Sequence, residues 1–178
     1  MVRRWAEGLP CGASVLDVGA GTGAPLTRAL LRAGLDVHAI DASARMTRLF
    51  RARLPGVPIA CEAAERSAFF GRTFDGVLAV GLVFLLPPDA QRALIARLTG
   101  ALRPDGRLLL SAPTEAGRWT DALTGELSVS LGRDGYLAAF AAAGLILAAE
   151  HDDEGGNHYY EARVGLTEAS PKARGSAR

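Results

Sequence analysis

The chain is poor in the residues that build metal and disulfide sites. Among 178 residues there are two cysteines, Cys11 and Cys61, and three histidines, His38, His151 and His158. None falls in a C-x-x-C or H-E-x-x-H spacing, so no metal centre is expected. Each cysteine stands beside an apolar stretch and reads as a buried free thiol in a reducing compartment. No apolar run approaches the ~18 residues of a membrane span, and the N-terminus is too mixed for a signal peptide. A cytoplasmic protein is therefore expected. Charge of one sign is also missing. The formal net charge is +1, which gives no electrostatic reason to expect a nucleic acid or a membrane partner. Arg45, Arg48, Arg51 and Arg53 do cluster, but at a spacing that makes one solvated helix face. Internal repeats are absent. What remains, 49% hydrophobic and 22% charged residues, suits one globular domain with a real core.

One stretch organises the rest: Ser14-Val-Leu-Asp-Val-Gly-Ala-Gly-Thr-Gly-Ala-Pro25. Val15, Leu16 and Val18 suit a strand buried on both faces. Gly19, Gly21 and Gly23 then alternate, and a helical pattern opens with Leu26, Ala29, Leu30 and Ala33. A strand, a glycine turn and a helix start, with its unpaired N–H groups, make a ligand site. Gly19, Gly21 and Ala24 fit the dinucleotide fingerprint G-x-G-x-x-G/A, so an NAD(P)-dependent oxidoreductase is one reading. Asp17 tilts the balance. A carboxylate at the lip of the site would repel a pyrophosphate and suits the ammonium end of an amino acid. These residues resemble motif I of the class I S-adenosylmethionine-dependent methyltransferases, whose pattern reads much like VLDVGAGTG.

Further along, the expected order is a short helix within residues 1–10 with Val2, Trp5, Ala6 and Leu9 on one face, then strand 13–18, helix 24–33 closed by Gly34, and strand 35–40. Ser43 caps a helix running to Arg53 with Met46, Leu49 and Phe50 inward. Strand 59–61, strand 74–80 and a helix from Pro88 or Asp89 follow, the last burying Leu94, Ile95, Leu98 and Leu102. Arg103-Pro-Asp-Gly106 is a turn and Arg107 to Ser111 a strand. Residues 112–131 read as a loop. A helix at 133–143 ends at Gly144, and strands 145–151 and 157–164 form a hairpin across an acidic, glycine-containing turn. Alternating strands and helices imply a doubly wound, mostly parallel α/β sheet. The terminal hairpin matches the Rossmann-like methyltransferase sheet, order 3-2-1-4-5-7-6 with strand seven antiparallel. A single domain over residues 1–166 is expected, with a disordered tail from 167.

The family resemblance covers residues 13–164 and carries roles with it. Ligands of open α/β sheets bind at the carboxyl ends of the strands. Asp41 ends strand two about twenty residues beyond the glycines, where a carboxylate can accept from both ribose hydroxyls. Glu62 stands where the family commonly has Asp and would accept from the adenine amino group, with the Ala63 N–H meeting a ring nitrogen; Glu65 competes for that role. Asp17, Gly19, Ala20, Gly21, Gly23, Asp41, Ala42, Met46, Glu62, Ala63 and Gly81 form the expected cofactor site. Asp75, in Phe74-Asp-Gly-Val-Leu, takes a structural role, and Leu82, Val83 and Phe84 form an apolar floor beneath the methyl group. Methyl transfer needs mainly alignment, with a base where the acceptor must lose a proton. Candidates are His151, Asp152, Asn157, His158, Tyr159 and Tyr160, with His158 and Tyr159 foremost. Alternation puts Asn157 and Tyr159 on one side of their strand and His158 and Tyr160 on the other. Trp119 and Asp121 follow strand five, a segment that in the family often binds substrate. Relatives usually carry helices ahead of strand one that cover the cofactor. The short stretch here implies an open acceptor site, completion by another subunit such as a homodimer partner, or a missing N-terminal piece. The resemblance thus implies methyl transfer from S-adenosylmethionine to a small molecule, with a binding module lacking its own activity as the alternative.

Overall fold

In the computed structural model, residues 1–121 and 125–165 are described. The expected tail from residue 167, and Thr124 within the loop after strand five, lie outside them. Seven strands form one sheet: β1 Ser14–Val18, β2 Asp36–Asp41, β3 Ile59–Cys61, β4 Phe74–Ala79, β5 Leu102–Ser111, β8 Leu145–Asp152 and β9 His158–Val164, in the order β3-β2-β1-β4-β5-β9-β8. Strands β1 to β5 pair in parallel, and β9 runs antiparallel to both β5 and β8. Counted within this sheet alone, the order is the expected 3-2-1-4-5-7-6. Two further strands, β6 Ala116–Thr120 and β7 Leu127–Leu131, form a separate antiparallel pair. The expected loop at 112–131 is therefore a hairpin.

Among the described residues, five α-helices cover the sheet: α1 Val2–Glu7, α2 Leu26–Arg32, α3 Ala44–Arg53, α4 Pro88–Gly100 and α5 Gly132–Ala142. Period-2 alternation splits the core. Leu16, Val18, Val77, Leu108, Leu110 and Tyr160 pack with Leu94, Ile95 and Leu98 of α4 and Tyr136 and Phe140 of α5. Val15, Val37, Leu78, Leu109 and Tyr159 pack with Val2, Trp5 and Ala6 of α1 and Leu30 of α2. Each strand of the centre is thus buried on both faces, which is why β1 reads as a continuous apolar run.

The short N-terminal helix is a structural support. Trp5 is buried and its ring lies where a Cβ on Gly76 would come within 2.8 Å of it. Gly76 sits near the amino end of β4, away from the edge where ligands bind, so α1 props the far end of the sheet. Arg107 adds to this by donating to the Gly8 carbonyl at 2.6 Å. Asp75 is structural as expected. It accepts from the Ser14 N–H and hydroxyl, both at 2.8 Å, and pairs with Arg103. Burial raises its pKa, but the Ser14 and Arg103 contacts outweigh that and hold it below the usual range.

Several expectations need correction. Cys11 and Cys61 are free but exposed, because each lies at a strand margin. In α3 the inward residues are Thr47 and Phe50, Met46 is half-buried and Leu49 is 38% exposed; the helix shows the sheet a narrower stripe than its apolar residues imply. Leu102 belongs to the start of β5, where it pairs with Phe74 beyond the end of α4. The β6–β7 hairpin was hidden because its burial is inverted. Ser128 and Ser130 of Leu-Ser-Val-Ser-Leu are buried while Leu127 is 59% exposed. Gln91 of α4 accounts for part of this, donating to the carbonyls of Leu86 and Val129 at 2.7 Å each and accepting from the Tyr136 hydroxyl at 2.9 Å.

Candidate functional site

The carboxyl ends of β3, β2, β1 and β4 stand side by side, and the loops leaving them are tied together by main-chain bonds. Gly19 and Ala20 both donate to the Ile40 carbonyl of β2, at 2.9 and 3.1 Å, and Glu62 donates to the Asp41 carbonyl at 3.1 Å. Gly23 donates to Ala20 at 2.9 Å. Asp41 joins the same loop through its side chain. One oxygen accepts from the Gly21 N–H and the other from the Ser43 N–H, each at 2.8 Å. In the glycine loop, the N–H groups of Gly19, Ala20, Gly21 and Gly23 are thus all directed at protein acceptors. At the start of α2 no side chain caps the helix, and the Arg28 N–H returns to the Gly23 carbonyl.

The glycines have separate reasons. Gly19 and Gly21 take φ of +75° and +58°, a region a Cβ disfavours. Gly21 has open space where a side chain would be, so ligand can approach the backbone there. Gly23 is buried, and a Cβ on it would come within 2.6 Å of Leu54 and 2.9 Å of Phe50. Its smallness serves packing against the end of α3.

Asp17 also departs from expectation. It does not sit at an open lip: it is 2% exposed and accepts from the Thr27 hydroxyl of α2 at 2.6 Å. Burial pushes its pKa up to about 6, against the Thr27 bond that lowers it, with the Asp41 charge adding to the rise. Two carboxylates therefore lie beneath and beside the glycine loop, one buried and one at the surface of the cleft. Ala42 and Glu62 are exposed at the same edge, and Met46 and Ala63 are half-buried.

On the other flank, Gly81 follows β4 with φ +68° and donates to the Ser111 hydroxyl at the end of β5, 2.8 Å away. Leu82 packs 3.4 Å from where a Gly19 Cβ would stand. Val83 is in the core, whereas Leu82 and Phe84 are half-exposed, so only these two can floor the cleft. Ser111 also lines a cavity of about 300 Å³ with Phe84, Trp119, Asp121, Asn157 and His158. The rings of Phe84 and Trp119 are 5.6 Å apart, tilted at 43°. The hairpin β6–β7 is what brings Trp119 here. Ser111 and Thr27 carry no motif that sequence reading could have used; their roles follow from register and helix packing alone.

The last strand resolves which side chains face the cavity. His158 lines it, with Nδ1 2.7 Å from Asp152 and Nε2 3.3 Å from Glu150, and its ring lies edge-on to Tyr160 at 4.6 Å. Glu150 is in turn held by Arg133 at 2.7 and 2.9 Å. Both ring nitrogens thus face carboxylates, and acting as a base on an acceptor would require His158 to turn one of them away. Tyr159 does not face the cavity. It is buried on the opposite side of the sheet, among residues packed by α1 and α2, and its hydroxyl donates to Asp153 at 2.8 Å. Burial and the Asp153 charge push its pKa up to about 12. Its role is to fasten the β8–β9 turn. His151 faces Glu161 at 3.7 Å and Tyr160 is fully buried against Tyr136 and Phe140.

No group of three or more His, Cys, Asp or Glu that could hold a metal is found among the described residues. No described helix is long and apolar enough to cross a membrane.

A family model described as a methyltransferase domain matches residues 15–106. An uncharacterized methyltransferase of Mycobacterium tuberculosis is 38% identical over 123 residues, 68% of this chain and 47% of that protein. The demethylmenaquinone methyltransferase of Renibacterium salmoninarum is 34% identical over 116 residues, 61% of this chain and 47% of its own length. The chain thus spans about half the length of the curated relatives it matches. Among solved structures, an amino pentose methyltransferase from Micromonospora echinaspora with SAM bound superposes with a TM-score of 0.72 at 26% identity, covering 90% of this chain and 86% of that one. A glycopeptide N-methyltransferase gives a TM-score of 0.76 at 20% identity, over 92% and 94% of the two chains, a likeness of fold.

Proposed function

The chain belongs to the family of methyltransferase domains, and from that premise we propose that it transfers a methyl group from S-adenosylmethionine to a small-molecule acceptor. The observation that carries the reading is the hydrogen bonding of the glycine loop. The N–H groups of Gly19, Ala20, Gly21 and Gly23 all point at protein oxygens, and Asp17 and Asp41 add negative charge beside them. A pyrophosphate would find these four donors taken and the Asp41 carboxylate beside them, which disfavours a dinucleotide. A ligand with an ammonium, a sulfonium and two ribose hydroxyls meets the acceptors and negative charge it needs.

S-adenosylmethionine supplies, when bound, a methyl group on a leaving group that needs no acid to depart. This chain's residues then bind and orient. Asp41 has one contact on each carboxylate oxygen and keeps lone pairs on both, enough for two ribose hydroxyls. Ala42 and Met46 border the same edge. Glu62 and the Ala63 N–H receive the adenine. Gly19 and Gly21 admit the ligand to the backbone, and Asp17 attracts the ammonium end electrostatically from below. Gly81, fixed to Ser111, marks the boundary between this cleft and the cavity of Trp119 and His158, which takes the acceptor. Alignment across that boundary and exclusion of water by Leu82 and Phe84 are what the protein contributes to the rate. Trp119 packs against the acceptor, and His158 orders the polar side of the cavity.

The small-molecule acceptor is supported by the modest cavity and by the relatives that act on a quinone precursor or an amino sugar. Equilibrium dialysis against S-adenosylmethionine and, separately, NADH tests the reading. Retention of the first and passage of the second is expected; the reverse pattern from a folded chain would overturn it.

A further inference from the structure

The acceptor cavity offers an occupant rings rather than charges. Phe84 and Trp119 line it, both half-exposed, with ring centroids 5.6 Å apart and planes tilted at 43°. At that tilt neither ring lies flat on the other, so each leaves part of its surface for a third. Ala112 and Pro113 add apolar surface to the lining. The polar groups beside these rings are engaged within the chain. The Ser111 hydroxyl accepts from the Gly81 N–H at 2.8 Å, and the Pro113 carbonyl accepts from the Ser130 hydroxyl at 3.0 Å. The Ala112 N–H donates to the His158 carbonyl at 3.1 Å. His158 turns both ring nitrogens toward carboxylates, and Asp121 has a partner of its own. No arginine or lysine is among the lining residues. A charged occupant would have to break one of these pairings or remain without a counter-charge, and both are costly. A neutral occupant with a flat face meets what is left uncommitted.

Resting on the methyltransferase reading, we propose that the acceptor enters this cavity by a flat, uncharged ring laid against Trp119 and Phe84. The cavity, about 300 Å³, lies at the lower end for small-molecule sites, so the ring part is compact. Selection is by shape and by the aromatic faces. A puckered, saturated ring of the same outline touches fewer atoms of either face and forms no aromatic pair.

Three probes of one outline test this: coumarin, its saturated analogue octahydrocoumarin, and coumarin-3-carboxylate, each titrated calorimetrically into the chain saturated with S-adenosylhomocysteine. Coumarin should bind about fivefold tighter than octahydrocoumarin, the worth of one aromatic pair, and tighter than the carboxylate. Trp119→Leu should bring coumarin and octahydrocoumarin to within twofold of each other, roughly the loss of that pair. Trp119→Phe, which keeps an aromatic face, should retain most of the preference. Equal binding of coumarin and its saturated analogue, no binding of coumarin, tightest binding of the carboxylate, or a preference that survives in Trp119→Leu overturns the flat-ring assignment. Failure of the parent chain to bind S-adenosylhomocysteine overturns the reading beneath it, so the two failures are distinguishable.

Discussion

Under the proposed reading, Asp17 and Asp41 serve one ligand in two ways. Asp41 stays at the cleft surface with both oxygens already oriented by backbone donors, so it holds its geometry before ligand arrives. Replacing it with alanine removes that acceptor pair and should weaken S-adenosylhomocysteine by about 2–4 kcal/mol, thirty-fold or more, measured calorimetrically. Asp17 is buried and costs stability. Its pKa is raised from 3.8 to about 6, so the folded state holds its proton more firmly than the unfolded chain does. Stability from this group therefore falls as pH rises from about 4 to about 6 and stays reduced above that. The cost at neutral pH is on the order of 3 kcal/mol. Asp17→Asn should raise the midpoint of urea unfolding at pH 8 and leave it nearly unchanged at pH 3.5, while weakening the cofactor. Equal effects at the two pH values would show that burial of the charge is not what matters. Asp41 stands out in the sequence by its place after strand two. Asp17 reads there as a carboxylate at an open lip, because nothing in the sequence shows that Thr27 closes over it.

Among the elements, the hairpin β6–β7, which brings Trp119 to the cavity, is the least legible. Its period-2 pattern is present in Leu-Ser-Val-Ser-Leu, but with the serines inward the pattern carries no hydrophobic signal. Gln91 anchors it from inside, bridging α4, β7 and α5. Gln91→Ala leaves two carbonyls and the Tyr136 hydroxyl without that partner and should cost about 2–4 kcal/mol of stability by urea titration. The S-adenosylhomocysteine affinity of the folded fraction should be preserved, since the hairpin lines the cavity beyond Gly81 through Trp119. The helix α1, by contrast, was readable from its apolar face, though its purpose was not. Trp5 fills the space left by Gly76, so Trp5→Ala should cost about 3–5 kcal/mol with the cofactor affinity of the folded fraction preserved. Coupled loss of affinity would mean that α1 shapes the cleft as well.

At the scale of the whole molecule, the sheet order and the single reversed strand could be anticipated, because glycine turns, apolar strands and a terminal hairpin each leave a local mark. The two-faced core then follows from alternation. Long-range register is less legible. It puts Ser111 against Gly81, His158 between two carboxylates and Tyr159 on the far face, and none of these is encoded by local pattern. The cleft at the carboxyl ends of β1 to β4 is proposed to hold S-adenosylmethionine and its product. The most direct measurement is a calorimetric titration of S-adenosylhomocysteine into the folded chain and into Asp41→Ala. One-to-one binding, largely lost in the variant, is the predicted result. A folded chain that ignores the ligand, or a variant that binds it as tightly as the parent, would contradict the claim.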